Sequence, residues 1–467
     1  MARLDSKLTC PADHYAARRR RLAVNLQRPL LILAGRARSR NYPANTYPFR
    51  AGSSYLYFGG TPIEGAAWLV EPGSDGRNGC TLFRPPGGFD DTVWMGEPIP
   101  DDAIANAAGI PKGAVVDTSI VQSKTGRRPV VAVIPPCLES VQWMASLRIS
   151  PAGPDELRPI IDLRLRKDEH ELAAMRHAAA TSVQAHLAGM LATAPGRRES
   201  DVAAAMEGVV KQNEHDLSFT PIVTVRGEVL HSSGGANELR TGQLLLADAG
   251  TEERGGYASD ITRTYPVGGV FNPIQRQIYD IVLRAQRAAI GACVPGRRYR
   301  DVHDLAGRVV CEGLVDAGLL RGNVADLAGR FAHTLFFTHG VGHLIGLDVH
   351  DMEDFGDLAG YATGRTRRPE FGNKFLRLDR DLEPGMTVTI EPGIYLVPAL
   401  WQQHELVGPF ADVVNRPAIE RLLETGFGGI RIEDTVHVRD AGPTGPEVLT
   451  AALPTDADVV ADIVRRA

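Results

Sequence analysis

The chain has 467 residues, with 51 Lys and Arg against 56 Asp and Glu and a formal net charge of -5. That balance offers no basic surface for a nucleic-acid partner, and no apolar run approaches the roughly 18–20 residues of a membrane-crossing helix. The five cysteines (Cys10, Cys80, Cys137, Cys293, Cys311) are scattered and never spaced C-x-x-C. A disulfide framework or thiolate metal site is thereby excluded, and a reducing, cytoplasmic setting is expected.

In chain order, residues 1–10 carry Arg3, Asp5 and Lys7 and no apolar stretch, so no secretory signal is read there. The arginines at 18–21 sit in a short helical segment ending near Asn25 and read as a solvated basic face. Residues 30–34, 55–58, 66–70 and 130–134 read as strands, punctuated by Gly59-Gly60, Gly65 and Pro72-Gly73. Strands alternating with helices predict an α/β layer for residues 1–160. Pro151, Gly153, Pro154 and Pro159 mark a boundary, and 161–467 is the second domain. A long helix is predicted over 168–194, with Leu172, Met175, Ala179, Val183, Leu187 and Met190 as its apolar stripe.

An internal repeat follows. Residues 192–210 (ATAPGRRESDVAAAMEGVV) and 292–310 (ACVPGRRYRDVHDLAGRVV) share the string P-G-R-R-x-x-D-V. The second domain therefore reads as two related halves, whose seam is a natural place for a site. Each half supplies acids at strand ends. The first has Asp248, in Leu-Leu-Leu-Ala-Asp-Ala-Gly, and Asp260, set opposite it by a hairpin centred on Arg254-Gly255. The second has Glu391, in Thr-Ile-Glu-Pro-Gly, and Glu433, in Gly-Ile-Arg-Ile-Glu-Asp. Facing carboxylates repel and need a cation between them. Their hard oxygens suit divalent ions, and an imidazole narrows the choice toward transition metals. His339, His343 and His350 fall within twelve residues, in a stretch whose Gly340, Gly342 and Gly346 argue against a helix.

The strings D-A-G, S-D-I-T-R-T-Y, H-G-x-G-H-x-x-G-L-D-V-H-D, E-P-G-I-Y and G-I-R-I-E-D closely resemble those of the Xaa-Pro metallopeptidases, namely aminopeptidase P and prolidase. Residues 47–60 resemble the signature of that family's N-terminal domain. The resemblance implies an α/β N-terminal creatinase/aminopeptidase P-like domain and a duplicated pita-bread catalytic domain. It implies two divalent ions, Mn²⁺ foremost with Co²⁺, Zn²⁺ or Fe²⁺ as alternatives, held by Asp248, Asp260, His343, Glu391 and Glu433. Glu391 would also accept the proton of the attacking water. His231, His339 and His350 match the family's catalytic and substrate-handling histidines, and Arg431 matches an arginine of the last motif. Arg377 matches the arginine that in prolidases meets the substrate carboxylate. Phe219 stands where many members carry a tyrosine, and the long stretch between Glu391 and Glu433 looks more like prolidase. Peptides with proline at the second position are the expected substrates, dipeptides preferred, with longer peptides (the aminopeptidase P reading) as the alternative. A homodimer or higher even oligomer is expected. The rival from another class is a non-catalytic pita-bread binding module, against which stand all five ligand positions.

Overall fold

The computed structural model describes residues 10–126, 128–232, 235–440, 442 and 445–466. The reading of residues 1–9 as lacking a signal lies outside them. The chain divides into two compact units, Met1–Leu165 with Glu169–Glu171 and Arg254–Gly256, and Arg166–Asp168 with Leu172–Glu253 and Tyr257–Ala467.

The first unit is built on a six-stranded sheet, in the order Val115–Asp117, Cys80–Arg84, Ala67–Val70, Leu30–Leu33, Val131–Val133, Ser150–Pro151. Leu30–Leu33 is buried throughout, as a strand covered on both faces must be. Three of the four expected strands are present. The fourth, residues 55–58, is instead part of the helix Ser53–Gly59. A run of four aromatic and aliphatic residues has no period that separates a strand from a buried helix, and tertiary contacts decide.

Those contacts also correct the reading of the basic run. Arg20 and Arg21 are exposed, but Arg18 and Arg19 are buried at 1% and 0% exposure. Arg18 donates to the Tyr57 carbonyl (3.3 Å), with its guanidinium 4.2 Å from the Tyr57 ring. Arg19 donates to the carbonyls of Phe58 (2.5 Å), Gly76 (2.9 Å) and Ala108 (2.6 Å). Carbonyls at a helix C-terminus lack an intrahelical donor. The two arginines supply it to Ser53–Gly59, and Arg19 also to Asp101–Ala108.

The second unit opens with the helix Glu169–Ala192, close to the span expected. The repeat is a structural one. Gly196 N–H donates to Leu239 O and Gly296 N–H to Leu382 O; Leu239 N–H donates to Arg197 O and Leu382 N–H to Arg297 O. Nine residues beyond each leucine stands an acid, Asp248 in one half and Glu391 in the other. In the first half Leu244–Ala249 lies between Ile222–Thr224 and Ile261–Pro266, both antiparallel to it. In the second, Thr387–Ile390 pairs with Asp434–His437, and Gly393–Tyr395 with Gly429–Arg431. A bridge between Thr262 and Glu433 links the halves. Behind the first-half strands, Met190 and Met206 pack on Leu245, Ala247, Ile261 and Tyr265. Among the described residues no helix is long and apolar enough to cross a membrane.

Candidate metal centre

Asp248 lies in a strand whose six residues are all buried. Its partner across the hairpin is Thr262, with Glu252 opposite Ala258. The hairpin is therefore centred on Gly255, one residue beyond the centre that pairing Asp248 with Asp260 requires, and Asp260 is the diagonal neighbour of Asp248. Moving the pairing by two residues keeps the pleat, so both carboxylates still share one face. Gly250 permits this approach, since a Cβ there would run into the Ser259 carbonyl.

The structure gathers Asp260, His343 and Glu433 so that one ligand atom of each lies within 4.8 Å of the others. All three are nearly inaccessible, at 4%, 2% and 2% exposure. His343 comes from an irregular segment, as its glycines foretold, held by Thr389 N–H donating to His343 O (2.9 Å). Its Nδ1–H donates to Leu344 O (2.9 Å). That fixes the tautomer and turns the Nε2 lone pair to Asp260 Oδ2 (3.6 Å) and Glu391 Oε1 (3.7 Å). Glu433 Oε2 accepts from Thr262 Oγ1 (2.7 Å). Asp248 and Glu391 flank this trio. Asp248 Oδ2 is taken by Arg431 Nη2 (2.5 Å), whose guanidinium also donates from Nη1 to Tyr395 OH (3.0 Å).

Burial and crowding show in the acidities. Burial, with Asp248 adding to it, lifts the Asp260 carboxyl to about 6. Burial lifts Glu391 to about 7, and burial with the repulsion of Asp260, Glu391 and Asp248 raises Glu433 well above the ordinary range. The buried oxygens Asp248 Oδ1 and Asp260 Oδ1 accept no hydrogen bond. Three buried carboxylates and the partly exposed Glu391 with one guanidinium among them, two oxygens orphaned and an imidazole lone pair aimed inward make a donor set that fits divalent cations.

The remaining residues line a cavity of about 1160 Å³. His350 packs edge-on against His343, ring centres 4.3 Å apart. Its Nδ1 accepts from Arg377 Nη1 (3.3 Å), which leaves Nε2–H as a donor. Burial, aided by His343 and Arg377, lowers it to about 2, so the ring is neutral. His339, lowered by burial to about 3, places Nδ1 2.8 Å from Gly340 O and Nε2 2.8 Å from Tyr395 OH. His231 and Phe219 are on the cavity wall. Arg377 is there too, its Nη1 paired with Glu353 Oε2 at 2.5 Å. The stretch between Glu391 and Glu433 forms short helices, among them Pro398–Trp401 and His404–Val407, and lends Leu400 and Leu406 to the wall.

Sequence reasoning passed over Tyr395, Thr262 and Arg263, although each stood inside a quoted string. Glu353 carried no signal at all.

The chain matches Metallopeptidase family M24 over residues 173–440 and Aminopeptidase P, N-terminal domain, over residues 15–122. It is 30% identical over 461 residues to the Xaa-Pro aminopeptidase of Escherichia coli K12, covering 93% of this chain and 94% of that one. Proline aminopeptidase P II from Yersinia pestis superposes with a TM-score of 0.79 at 27% identity, covering 97% and 99% of the two chains. Zinc-substituted Escherichia coli aminopeptidase P in complex with product does so with a TM-score of 0.78 at 27% identity, covering 97% and 98%.

Proposed function

The chain belongs to metallopeptidase family M24 and has the pita-bread fold of aminopeptidase P; from that premise we propose that it is an Xaa-Pro aminopeptidase, removing the N-terminal residue that precedes proline. The observation that carries the reading is the set of buried Asp248, Asp260, His343 and Glu433 with partly exposed Glu391, all lining a peptide-sized cavity. The dipeptide preference expected from Arg377 and the long insertion is set aside. The named relative is an aminopeptidase, residues 15–122 match an aminopeptidase P domain, and the Arg377 guanidinium is already engaged by Glu353.

Divalent ions held by the five ligands would supply an acidified water and a polarised carbonyl. A zinc-substituted neighbour supports that choice of group, and the reading retains two ions per chain with manganese foremost. Glu391 would take the water's proton at Oε2, the oxygen 3.8 Å from His339 Nδ1, its carboxyl lifted by burial to about 7. His350, on the cavity wall with Nε2–H as its remaining donor, would donate to the oxygen on which charge develops. Tyr395 hydrogen-bonds both His339 and Arg431, tying the imidazole to the guanidinium that holds Asp248. The proline nitrogen has no N–H, so the site needs no acceptor for one. A boundary near residue 160, an even homo-oligomer and a cytoplasmic location belong to the same reading, the last supported by five scattered cysteines never spaced C-x-x-C.

The test is enzyme loaded in turn with Mn²⁺, Co²⁺ and Zn²⁺ and assayed on an Xaa-Pro dipeptide and an Xaa-Pro-Xaa tripeptide side by side. Preference for the tripeptide supports the proposal. Preference for the dipeptide restores the prolidase reading, and cleavage of neither rejects both.

A further inference from the structure

We propose that Glu353 is a specificity residue that turns the cleft away from free Xaa-Pro dipeptides and toward peptides continuing beyond proline; the inference rests on the Xaa-Pro peptidase reading above. Glu353 and Arg377 both line the cavity, each side chain about one-third exposed (36% and 35%). Their Oε2 and Nη1 are 2.5 Å apart, and His350 Nδ1 lies 3.3 Å from Arg377 Nη1 and 3.5 Å from Glu353 Oε2. His350 in turn packs on the ligand His343. The pair thus stands one imidazole from the centre. The group next beyond the scissile bond would lie there, since a residue spans about 3.5 Å.

The pair is held in place from both sides. The Leu376 carbonyl, just before Arg377, accepts from Tyr361 OH (2.7 Å) and Arg367 Nη1 (2.9 Å). Asp379, two residues after it, is fully buried and takes two bonds of 2.7 Å from Arg298. Glu353 opens a tight turn, and its N–H donates to the His350 carbonyl (3.3 Å).

A guanidinium beside a carboxylate offers a donor and an acceptor together. The peptide bond after proline in a longer substrate is neutral: its carbonyl accepts from Arg377 beside Glu353, and its N–H, trans to that carbonyl, is turned away from the pair. A dipeptide ends there in a carboxylate, with two acceptors and a negative charge. It must either displace Glu353 from Arg377 or lie against a like charge. Arg377 alone would favour dipeptides; Arg377 already occupied by Glu353 does not.

The experiment compares kcat/KM for an Xaa-Pro dipeptide and the matching Xaa-Pro-Xaa tripeptide in wild type, Glu353→Gln and Glu353→Ala. Both substitutions should raise the dipeptide-to-tripeptide ratio about tenfold or more, mainly through a lower KM for the dipeptide. An unchanged or lower ratio in both overturns the proposal. In an Arg377→Met background the same substitutions should move the ratio less, and an equal rise there would show that Glu353 acts without Arg377, which also overturns it. If wild type cleaves neither substrate, the peptidase reading itself falls, an outcome distinct from an unchanged ratio.

Discussion

Replacing Arg263 tests how the strands that carry the proposed metal ligands are held together. Arg263 is fully buried, and its five N–H groups meet five acceptors. Nε donates to Pro454 O (3.0 Å), Nη1 to Thr262 O (3.0 Å) and Glu433 O (2.6 Å), and Nη2 to Leu453 O and Asp434 Oδ1 (both 2.9 Å). Arg263→Met, of similar volume, leaves all five without that donor. Breaking a buried pair costs about 3–5 kcal/mol, and a dry unsatisfied carbonyl about 1–3 kcal/mol. Two features soften the sum. Asp434 keeps Gln286 Nε2 and Thr450 Oγ1 (both 2.6 Å), and Thr262 O keeps the Glu433 N–H (3.0 Å). We therefore expect a loss of about 4 kcal/mol for Arg263→Met, and about 2–3 kcal/mol for Arg263→Lys, which keeps the charge but only three donors. Equilibrium urea unfolding of metal-free protein, followed by fluorescence and circular dichroism together, measures it without a contribution from bound ions. A loss below about 1 kcal/mol for Arg263→Met, or a lysine variant less stable than the methionine one, would refute the reasoning.

Three other expectations follow from particular contacts. Glu447 accepts from Arg176 Nε and Nη2 (both 2.9 Å), and that pairing, with help from His437 and Arg439, brings its carboxyl down from 4.5 to about 2. A depressed carboxyl stabilises the fold above its unfolded value and ceases to as pH falls toward 2. Glu447→Gln should thus cost about 1–2 kcal/mol at pH 7, discounted for solvent-washed arginines, with the difference narrowing steadily below pH ~4.5 in urea titrations. His350→Ala should keep its metal by elemental analysis yet lose kcat by the ~2.7–4 kcal/mol of a missing oxyanion donor; loss of metal would place His350 among the ligands instead. Gly250→Ala should drive the strands bearing Asp248 and Asp260 apart at the Ser259 carbonyl, lowering both thermal stability and metal content, and a variant unchanged in both would contradict the packing.

The acids proposed as ligands were legible because duplication set them at matching offsets, Asp248 and Glu391 each nine residues past a leucine that pins a Pro-Gly corner. The histidine segment was legible because its glycines preclude a helix. Pairing register was not, since a hairpin centre displaced by one residue moves each partner by two and leaves the hydrophobic pattern unchanged. The burial of Arg18 and Arg19 was hidden because the carbonyls they cap belong to helices 39 and 89 residues away in sequence. Tyr55, Tyr57 and Phe58 misled for the same reason, their helix being set by what caps and covers it. Arg377 was legible as a cation in a basic stretch, but its partner Glu353 is delivered by a loop that no periodicity describes.

The central claim is that the buried carboxylates and His343 hold divalent ions that cut before proline. Mass spectrometry of the products from an Xaa-Pro-Xaa tripeptide tests it most directly, using metal-loaded wild type beside Glu433→Gln prepared in the same way. The account predicts the free N-terminal residue and a Pro-Xaa dipeptide in equal amounts from wild type, and neither from the variant, which should also retain less metal. Intact substrate with wild type, cleavage on the other side of proline, or full turnover by Glu433→Gln with its metal lost would contradict it.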